Sequence, residues 1–428
     1  MLNLKNSGLA INGGTPIRTK PWLDNFTTGE AEEKAALRAL KSQYLSLFEG
    51  SHTPDAPFSF WGGPEVQRFE KAWADYYHTR YAVSMNSATS CLYAAVGALN
   101  IGYGDEVICS PYTMSASAAC ALAYGAIPVF ADVEENSGCL DPQSIRARLT
   151  PRTKAIILVH QFGLPADMDA IMQICREHKL FLIEDCAQAH RAKFKDQFVG
   201  TFGDIGIFSL NVNKSIQSGE GGVCVVNSEE LRYRLGLIRN HGEAVVGPAG
   251  YEKIEGTLGF NYRMTEVTAA IAGAQLEKLD NLTAQRLDLV QSMIEGLEKF
   301  EFLKPLRGRP GSDPTYYVLP IRFLKEIAGV SRNEFVQCAN QEGALFYQGY
   351  VKPLYLQPIY QRKTCFKFGY PFSAPENKDS KPDYTTGSCP VAERLHYHEM
   401  MINEHIRPPH TRTDIDDLKA IVQKVSGT

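Results

Sequence analysis

Strand-like and helix-like segments alternate along the chain from Tyr81 onward, and this alternation restricts the possible folds more than any other feature. The strand-like runs are YAVSM, EVICS, IPVFADV, AIILVH, LFLIEDC, IGIFSL and GGVCVVN. Helical spacing of apolar residues between them predicts helices over 89–99 and near 115–124 and 168–178. Continuous apolar strands suit a sheet covered on both faces. The pattern therefore predicts an α/β domain with a mostly parallel central sheet flanked by helices.

A long helical pattern over roughly residues 265–300 follows the alternating segments. It is predicted to connect to a second domain, in which TYYVLPIRF is a strand and a Pro- and Tyr-rich stretch covers 350–384. A chain of 428 residues is long enough for two hydrophobic cores. We therefore predict three parts: an N-terminal arm over 1–30, a large domain over 31–280 and a smaller α+β domain over 281–428.

The charge balance excludes several classes of function. The formal net charge of -4 provides no broad positive surface for nucleic acid or anionic membranes. The longest small and apolar stretch, 116–131, is interrupted by Ser117, Gly125 and Pro128 and is too short for a membrane helix. The start, MLNLKNSGLAINGG, lacks the apolar stretch of a signal peptide, and none of the ten cysteines forms a C-x-x-C pair. We expect a cytoplasmic protein that acts on small molecules.

Lys214, in FSLNVNKSIQSGEGG (208–222), is the strongest candidate for a reactive group. It is predicted at the end of a strand, before a glycine-rich turn. A lysine at a strand end that faces a cleft loses solvation, which lowers its pKa and makes the amine a nucleophile and base. A lone lysine in a loop is more often a surface residue, so the assignment depends on the neighbouring motifs.

Asp185, in LIEDCAQAH (182–190), follows directly from a buried strand. Ligands of open α/β sheets bind at the carboxyl ends of the strands. A carboxylate there can keep a pyridinium nitrogen protonated, so that the ring accepts electrons. Alternatively, Asp185 caps the following turn.

The segment MNSATSCL (85–92) leads from a strand into a helix through small residues. Backbone N–H groups at a helix start, with about half a positive charge from the helix dipole, bind phosphate without a basic side chain. The segment is not a G-x-x-x-x-G-K-[ST] loop, and Gly102 and Gly104 do not extend to G-x-G-x-x-G. A nucleotide-binding site is therefore not indicated.

Together these segments resemble the DegT/DnrJ/EryC1/StrS sugar aminotransferases, which are fold-type I enzymes dependent on pyridoxal 5'-phosphate. The resemblance runs from about Gly63 to about Leu279, with the motifs in the right order, and more loosely to the C-terminus. It implies the aspartate aminotransferase-like α/β fold: a large domain with a mostly parallel central sheet and a smaller α+β C-terminal domain.

The resemblance also implies roles for individual residues. Lys214 would carry the cofactor as a Schiff base, and Asp185 would hold its pyridine nitrogen. Gln188 would lie near the phenolic oxygen, and Tyr112 would stack on the ring. The implied phosphate ligands are Ser209, the turn Ser87, Ala88 and Thr89, and Asn261 of GFNYRM from the neighbouring subunit. The role of Asn261 implies a homodimer with shared active sites.

Three positions depart from the family pattern. Ala88 stands where glycine is usual in the phosphate turn, but it still offers its N–H. Arg191 replaces the glycine that usually follows the histidine of EDxAQAHGA, which places a positive charge near the cleft or on its rim. The run 211–213, Asn-Val-Asn, replaces the His-Pro-containing run of nucleotide-sugar enzymes.

Histidines provide weaker candidates. A polar stretch near the C-terminus could suggest a metal: His396, His398, Glu404, His405 and His410. An H-x-H pair on a strand would share a face, but this segment is expected to be ordinary small-domain structure, and no metal site is predicted. His160 and His190, each at a predicted strand end, are expected to be hydrogen-bonded residues rather than proton shuttles.

The implied activity is ping-pong transamination through a Lys214 aldimine, from glutamate or glutamine to the ketone of a sugar or cyclitol. The segment AINGGTPIRTKPW and the run at 211–213 favour a cyclitol or free sugar, and a nucleotide-linked ketosugar is the alternative. An alternative of another class is a non-catalytic sensor or interaction protein that binds the cofactor. Retention of Lys214, Asp185 and the phosphate turn argues against it.

Overall fold

The computed structural model describes residues 2–49, 58–243 and 246–427. Its strands are β1 Tyr81–Met85, β2 Glu106–Cys109, β3 Ile127–Phe130, β4 Thr153–Val159, β5 Phe181–Asp185, β6 Lys193–Phe194, β7 Gln197–Phe198, β8 Ile205–Ser209, β9 Gly222–Val226, β10 Leu303–Pro305, β11 Ser312–Asp313, β12 Leu319–Phe323, β13 Tyr347–Gln348 and β14 Met400–Asn403. Its α-helices are α1 Glu30–Lys41, α2 Pro64–Tyr77, α3 Ala88–Ala98, α4 Ala116–Ala123, α5 Pro142–Arg148, α6 Met168–His178, α7 Glu229–Arg239, α8 Glu266–Leu297, α9 Lys325–Ala328, α10 Arg332–Gln341, α11 Pro358–Arg362, α12 Pro390–Arg394 and α13 Arg412–Ser426. Within these ranges no helix has both the length and the apolar character needed to cross a membrane.

In the described part of the chain, seven strands form the central sheet of the large domain, in the order β1-β9-β8-β5-β4-β2-β3. Strand β9 is antiparallel to both of its neighbours, and every other adjacent pair is parallel. Strands β8 and β9 are buried along their whole length, as expected for a sheet covered on both faces. The predicted mostly parallel sheet is confirmed.

Helices cover both faces of this sheet. Successive residues of each strand point to opposite faces, so apolar strands present side chains to both helical layers. In β8, Ile205 and Ile207 belong to the apolar cluster that includes α3 and α4. Phe208 belongs to the opposite cluster, which includes α2 and α6. The predicted helices near 89–99, 115–124 and 168–178 correspond to α3, α4 and α6 within one residue at each end.

The strand register brings several turns to one edge of the sheet. Met85 at the end of β1 and Ser209 at the end of β8 both pair with Gly222. Asp185 at the end of β5 pairs with Ile207 of β8. These are the carboxyl ends of strands that point the same way, so the segments that follow them meet at a common edge.

The smaller domain contains an antiparallel sheet in the order β10-β12-β14-β13. Strand β12 lies within the predicted strand TYYVLPIRF but is shorter. Helix α8 confirms the long predicted helix, and the predicted boundary at residue 280 falls inside it. Because α8 packs on α1 and α2 in its first half and on α13 further along, it belongs to both domains.

Candidate active site

The start of α3 offers unpaired backbone donors at the carboxyl edge of the sheet. Ser87 caps the helix through its Oγ, which accepts a hydrogen bond from Ser90 N at 3.0 Å. The N–H groups of Ala88 and Thr89 have no acceptor among the described residues. A Cβ at Gly222 would lie 2.4 Å from Ala88 N, so only glycine lets β9 pass this close to the helix start. Open N–H groups and the helix dipole suit a phosphate.

Asp185 is almost fully buried at the end of β5. Its Oδ2 accepts a hydrogen bond from Ser117 Oγ at 2.7 Å, and its Oδ1 accepts one from Ala187 N at 3.1 Å. The hydrogen bond from Ala187 N is the turn-capping role considered from the sequence. Asp185 can have this role and a role in the cavity at the same time. The carboxylate is thus fixed in orientation and has no cationic hydrogen-bond partner among the described residues.

Lys214 lies in the turn that follows β8 rather than at the end of the strand, which is Ser209. Its Nζ is 4.3 Å from the centre of the Tyr317 ring. Burial lowers the pKa of Lys214 to about 8, although the carboxylates of Asp185 and Glu404 act in the opposite direction. The amine is therefore uncharged far more often near neutral pH than that of a surface lysine, which makes it a better nucleophile and base.

A cavity of about 470 Å³ brings the three motifs together. Among the predicted site residues, those that line it are Ser87, Ala88, Thr89, Asp185, Ser209 and Lys214. The smaller domain contributes Tyr317 and Tyr350 to the same wall. Segments more than a hundred positions apart in the sequence therefore share one cavity, while their roles toward a cofactor stay a prediction.

Gln188 lies behind the cavity wall rather than on it. Its Oε1 accepts a hydrogen bond from Phe162 N at 2.7 Å, and its Nε2 donates one to Tyr350 OH at 3.2 Å. Because both ends of the amide are engaged in this way, Gln188 reaches the cavity only through Tyr350. The position of Gln188 near the phenolic oxygen of the cofactor stays a prediction.

Tyr112 lies outside the cavity wall as well, and its predicted stacking on the cofactor ring stays a prediction. Its ring is fully buried, with its centre 6.0 Å from that of Tyr350 and 6.4 Å from that of Phe162. It does not line the cavity, whereas Met114 does and is 56% exposed. The loop after β2 turns the Tyr112 ring into an aromatic cluster, because burying this large apolar surface is favourable. The residue of this loop segment that lines the cavity is therefore Met114, two positions after Tyr112.

Asn261 lies outside the cavity of its own chain. It is exposed and pairs with Asn240 through an isolated antiparallel bridge. Its Oδ1 accepts a hydrogen bond from Arg263 Nε at 3.0 Å, and its main-chain oxygen accepts one from Asn86 Nδ2 at 3.3 Å. The phosphate contact in a neighbouring subunit stays a prediction.

Arg191 is paired away from the cavity. Its Nε donates a hydrogen bond to Asp280 Oδ1 at 2.6 Å, and neither residue lines the cavity. Its φ of 68° is in the left-handed region, which explains why glycine is favoured at such a position. The positive charge of Arg191 is therefore paired with Asp280 outside the cavity wall, so the placement inside the cleft is wrong.

The two strand-end histidines are structural. His160 Nε2 lies 3.1 Å from Glu184 Oε2, and its Nδ1 accepts a hydrogen bond from Ala166 N at 3.1 Å. Burial, with smaller effects from Lys214 and Arg286, lowers the pKa of His190 to about 3, so its ring is neutral at working pH. The expected hydrogen bonding is confirmed for His160, whereas both ring nitrogens of His190 are buried without a hydrogen-bond partner among the described residues, so that part of the expectation is wrong for His190.

The C-terminal histidines are distributed over separate contacts. His405 and His410 pack against Trp22 of the N-terminal arm, with ring centres 5.6 and 5.0 Å away. The ring of His396 lies instead beside Tyr112, at 6.2 Å between centres. The segment 395–399 is a helical turn before β14, so His396 and His398 do not form the strand pair considered from the sequence.

Ser117, Tyr317 and Tyr350 are site residues that the sequence analysis did not identify. Ser117 had one available signal, since it is a polar residue inside the small, apolar stretch that forms α4. Tyr317 and Tyr350 come from the other domain, and no local pattern marks them. Only the packing of the two domains places them beside Lys214.

Known proteins match the chain over most of its length. The model of the DegT/DnrJ/EryC1/StrS aminotransferase family matches residues 58–371. The L-glutamine:2-deoxy-scyllo-inosose aminotransferase of Micromonospora echinospora is 34% identical over 90% of each chain. The structure of the aminotransferase from Psychrobacter cryohalolentis is 30% identical, covers 95% of this chain and 98% of its own, and has a TM-score of 0.79. DesV of S. venezuelae, solved in complex with a ketimine intermediate, is 28% identical, with coverages of 93% and 94% and a TM-score of 0.77.

Proposed function

The chain belongs to the DegT/DnrJ/EryC1/StrS aminotransferase family, and from this premise we propose that it transfers the amino group of L-glutamine to the ketone of a cyclitol or free sugar. The observation that carries the proposal is the single cavity that joins Lys214, Asp185 and the open start of α3. These three features are the ones that pyridoxal-phosphate chemistry requires: an amine, a carboxylate and a phosphate site.

The residues of the cavity fit pyridoxal 5'-phosphate. The N–H groups of Ala88 and Thr89, with Ser87 and Ser209 beside them, would hold the phosphate. Asp185, held in orientation by Ser117, would face the pyridine nitrogen. Lys214, whose pKa is lowered by burial, would bind the aldehyde carbon.

The mechanism assigns a separate task to each side chain. When bound, pyridoxal phosphate supplies an aldehyde that condenses with amines and a ring that accepts electrons from the adjacent carbon. Asp185 would keep the ring nitrogen of the bound cofactor positively charged, because a buried carboxylate favours a proton on its partner. Lys214 Nζ would take the proton from the substrate carbon and deliver it to the carbon derived from the cofactor aldehyde, a transfer suited to an amine with a pKa near 8. Tyr317 and Tyr350 contribute to the cavity wall, and the Tyr317 ring lies beside Lys214 Nζ.

The acceptor proposed here is a cyclitol or free sugar, as the segment AINGGTPIRTKPW and the run 211–213 favour. The name of the Micromonospora relative, which specifies L-glutamine and a deoxyinosose, supports the same donor and acceptor class here.

The test is a screen of both half-reactions on the purified holoenzyme, following the cofactor absorbance. L-glutamine and L-glutamate are compared as donors. The aminated enzyme is then mixed with 2-deoxy-scyllo-inosose, a free ketosugar or a nucleotide-linked ketosugar. We expect L-glutamine to convert the cofactor and the cyclitol ketone to restore it fastest. Restoration by the nucleotide-linked ketosugar alone would contradict the acceptor class, and failure of every donor would contradict the activity.

A further inference from the structure

The turn that carries Lys214 has no regular secondary structure and is held by polar contacts from distant parts of the chain. Arg286 of α8 donates to Ser215 Oγ at 3.0 Å. Arg407, beyond β14, donates to the main-chain oxygen of Asn213 at 3.2 Å. These two contacts fix the residues on either side of Lys214 but not Lys214 itself.

We infer that Asn25 of the N-terminal arm is the positioning residue for Lys214, an inference that rests on the proposed function of that lysine. Its Nδ2 donates to the main-chain oxygen of Val212 at 2.8 Å and to that of Lys214 at 2.9 Å. Asn25 is 5% exposed. It uses both amide hydrogens on this one turn, and it does not line the cavity.

The orientation of the Asn25 amide follows from its two partners. Both are carbonyl oxygens, which only accept hydrogen bonds, so the NH2 group must face them. The opposite orientation would place Oδ1 against two other oxygens. Aspartate or a side chain without a donor at this position would therefore leave the carbonyls of Val212 and Lys214 unpaired, at a cost in local order.

The arm itself is anchored to the same turn through α8. Gln275 accepts hydrogen bonds at Oε1 from Thr27 Oγ1 at 3.0 Å and from Gln217 N at 3.2 Å. Its Nε2 donates to the main-chain oxygen of Thr27 at 3.0 Å. The arm, the helix and the turn thus form one network, and Asn25 is the member that contacts Lys214.

This contact determines where the amine lies. Fixing the carbonyl of Lys214 fixes its Cα, from which the side chain reaches the Tyr317 ring at 4.3 Å. Without Asn25 the turn can shift, and the amine becomes more exposed to water. A displacement of about 1 Å at a reacting group lowers rates by about a hundredfold.

The test compares Asn25→Leu with Asn12→Leu. Leucine has nearly the shape of asparagine but no donor. Asn12 is a matched control because its Nδ2 also donates to two carbonyls, those of Leu4 at 2.9 Å and Asn6 at 2.8 Å, in the same N-terminal region. Asn25→Ser retains a hydrogen-bond donor and is expected to have an intermediate effect. It replaces Asn25→Leu in the test if Asn25→Leu does not fold.

Two readouts use the cofactor-free protein and do not depend on turnover. The first is the pH dependence of acylation of Lys214, measured by peptide mapping. Its midpoint should rise from about 8 toward the 10.5 of an ordinary lysine in Asn25→Leu and not in Asn12→Leu. The second is amide hydrogen exchange over residues 210–217, which should be about fivefold to tenfold faster in Asn25→Leu. In the loaded enzyme, kcat should fall at least tenfold.

A folded Asn25→Leu or Asn25→Ser protein with the wild-type acylation midpoint and wild-type exchange would overturn the positioning role. That outcome would not contradict the proposed aminotransferase function. Conversely, a wild-type protein that fails every donor would contradict the proposed function even if both apo-protein readouts change as expected. The two failures are therefore distinguishable.

Discussion

Asp185 and Lys214 face the same cavity but are held there by different means. Asp185 ends a strand of the central sheet, and its carboxylate is fixed by Ser117 and by the N–H of Ala187, two residues further on. Lys214 lies in an irregular turn whose position depends on Asn25, Arg286 and Arg407. A strand end fixes its residues through the sheet, whereas a turn takes its geometry from whatever packs on it.

This difference predicts how strongly substitutions at other positions affect Asp185 and Lys214. The orientation of Asp185 depends on one helix and one turn of the large domain. The position of Lys214 depends on the arm, on α8 and on the segment after β14. We expect substitutions far from the cavity to affect Lys214 more than Asp185.

The largest effect is expected for Lys214→Ala. Turnover should be abolished, because no other lysine lines the cavity in the described residues. The fold and much of the cofactor affinity should persist, since the phosphate and ring contacts come from other residues. Steady-state assays, cofactor titration and borohydride reduction with peptide mapping measure these outcomes. The control is Lys71→Ala, at an exposed position on α2. Near-normal turnover of Lys214→Ala would exclude Lys214 as the Schiff-base residue.

Asp185→Asn is expected to fold and to bind the cofactor but to lose a factor of about a hundred or more in kcat, corresponding to about 3 kcal/mol. The amide cannot hold a pyridinium proton by charge. The matched control is Asp204→Asn, at the amino end of β8, where the carboxylate accepts a hydrogen bond from Leu182 N. An Asp185→Asn enzyme within tenfold of the wild type would contradict the assignment.

A smaller but distinctive effect is expected for Asn261→Ala. If Asn261 binds the phosphate of a neighbouring subunit, this variant should bind the cofactor about tenfold more weakly, as one charge-assisted hydrogen bond is lost. Mixing it with Lys214→Ala should restore activity, because half of the randomly paired dimers contain one intact site. The expected recovery is about a quarter of the wild-type rate.

The mixing experiment requires evidence that subunits exchange, which differently tagged chains provide. Impaired cofactor binding by Asn261→Ala without recovery after confirmed exchange would show that the active sites are not shared.

Ser117→Ala should reduce kcat about fivefold to tenfold, because Asp185 loses its 2.7 Å hydrogen bond but keeps the one from Ala187. Ser115→Ala is the matched control, since Ser115 also lines the cavity near the start of α4 and is exposed. Equal effects of the two substitutions would mean that the Ser117 contact does not orient the carboxylate.

The smallest effect is expected for Tyr112→Phe. The Tyr112 hydroxyl is buried and has no hydrogen-bond partner among the described residues, so its removal should leave kcat within about twofold and should not lower the free energy of unfolding. Tyr350→Phe, which loses the hydrogen bond from Gln188, should be affected more. A clear change in the cofactor absorbance of Tyr112→Phe would show that the Tyr112 hydroxyl affects the cofactor, which its buried position does not predict.

The residues next to each motif show which features of the site could not be predicted from the sequence. The loop after β2 contains Tyr112, to which the resemblance gives the stacking role, and Met114, which lines the cavity. The burial of Tyr112 against Phe162 and Tyr350 is a tertiary effect that no local pattern contains. The hydrogen bond that Gln188 accepts from Phe162 N is a tertiary contact in the same way, because Phe162 lies in the turn after another strand.

The sequence by itself determined the α/β architecture and predicted that the motifs containing Lys214, Asp185 and residues 87–89 follow strands that end at one edge of the sheet. It could do so because apolar periodicity and strand-to-helix turns are local properties. The roles of these residues toward a cofactor come from the family resemblance and stay predictions. The tertiary structure decided that Met114 rather than Tyr112 lines the cavity, that Tyr317 and Tyr350 close it, and that Asn25 holds the turn of Lys214. These features depend on contacts between segments up to hundreds of residues apart, and such contacts form only when the two domains and the arm pack together.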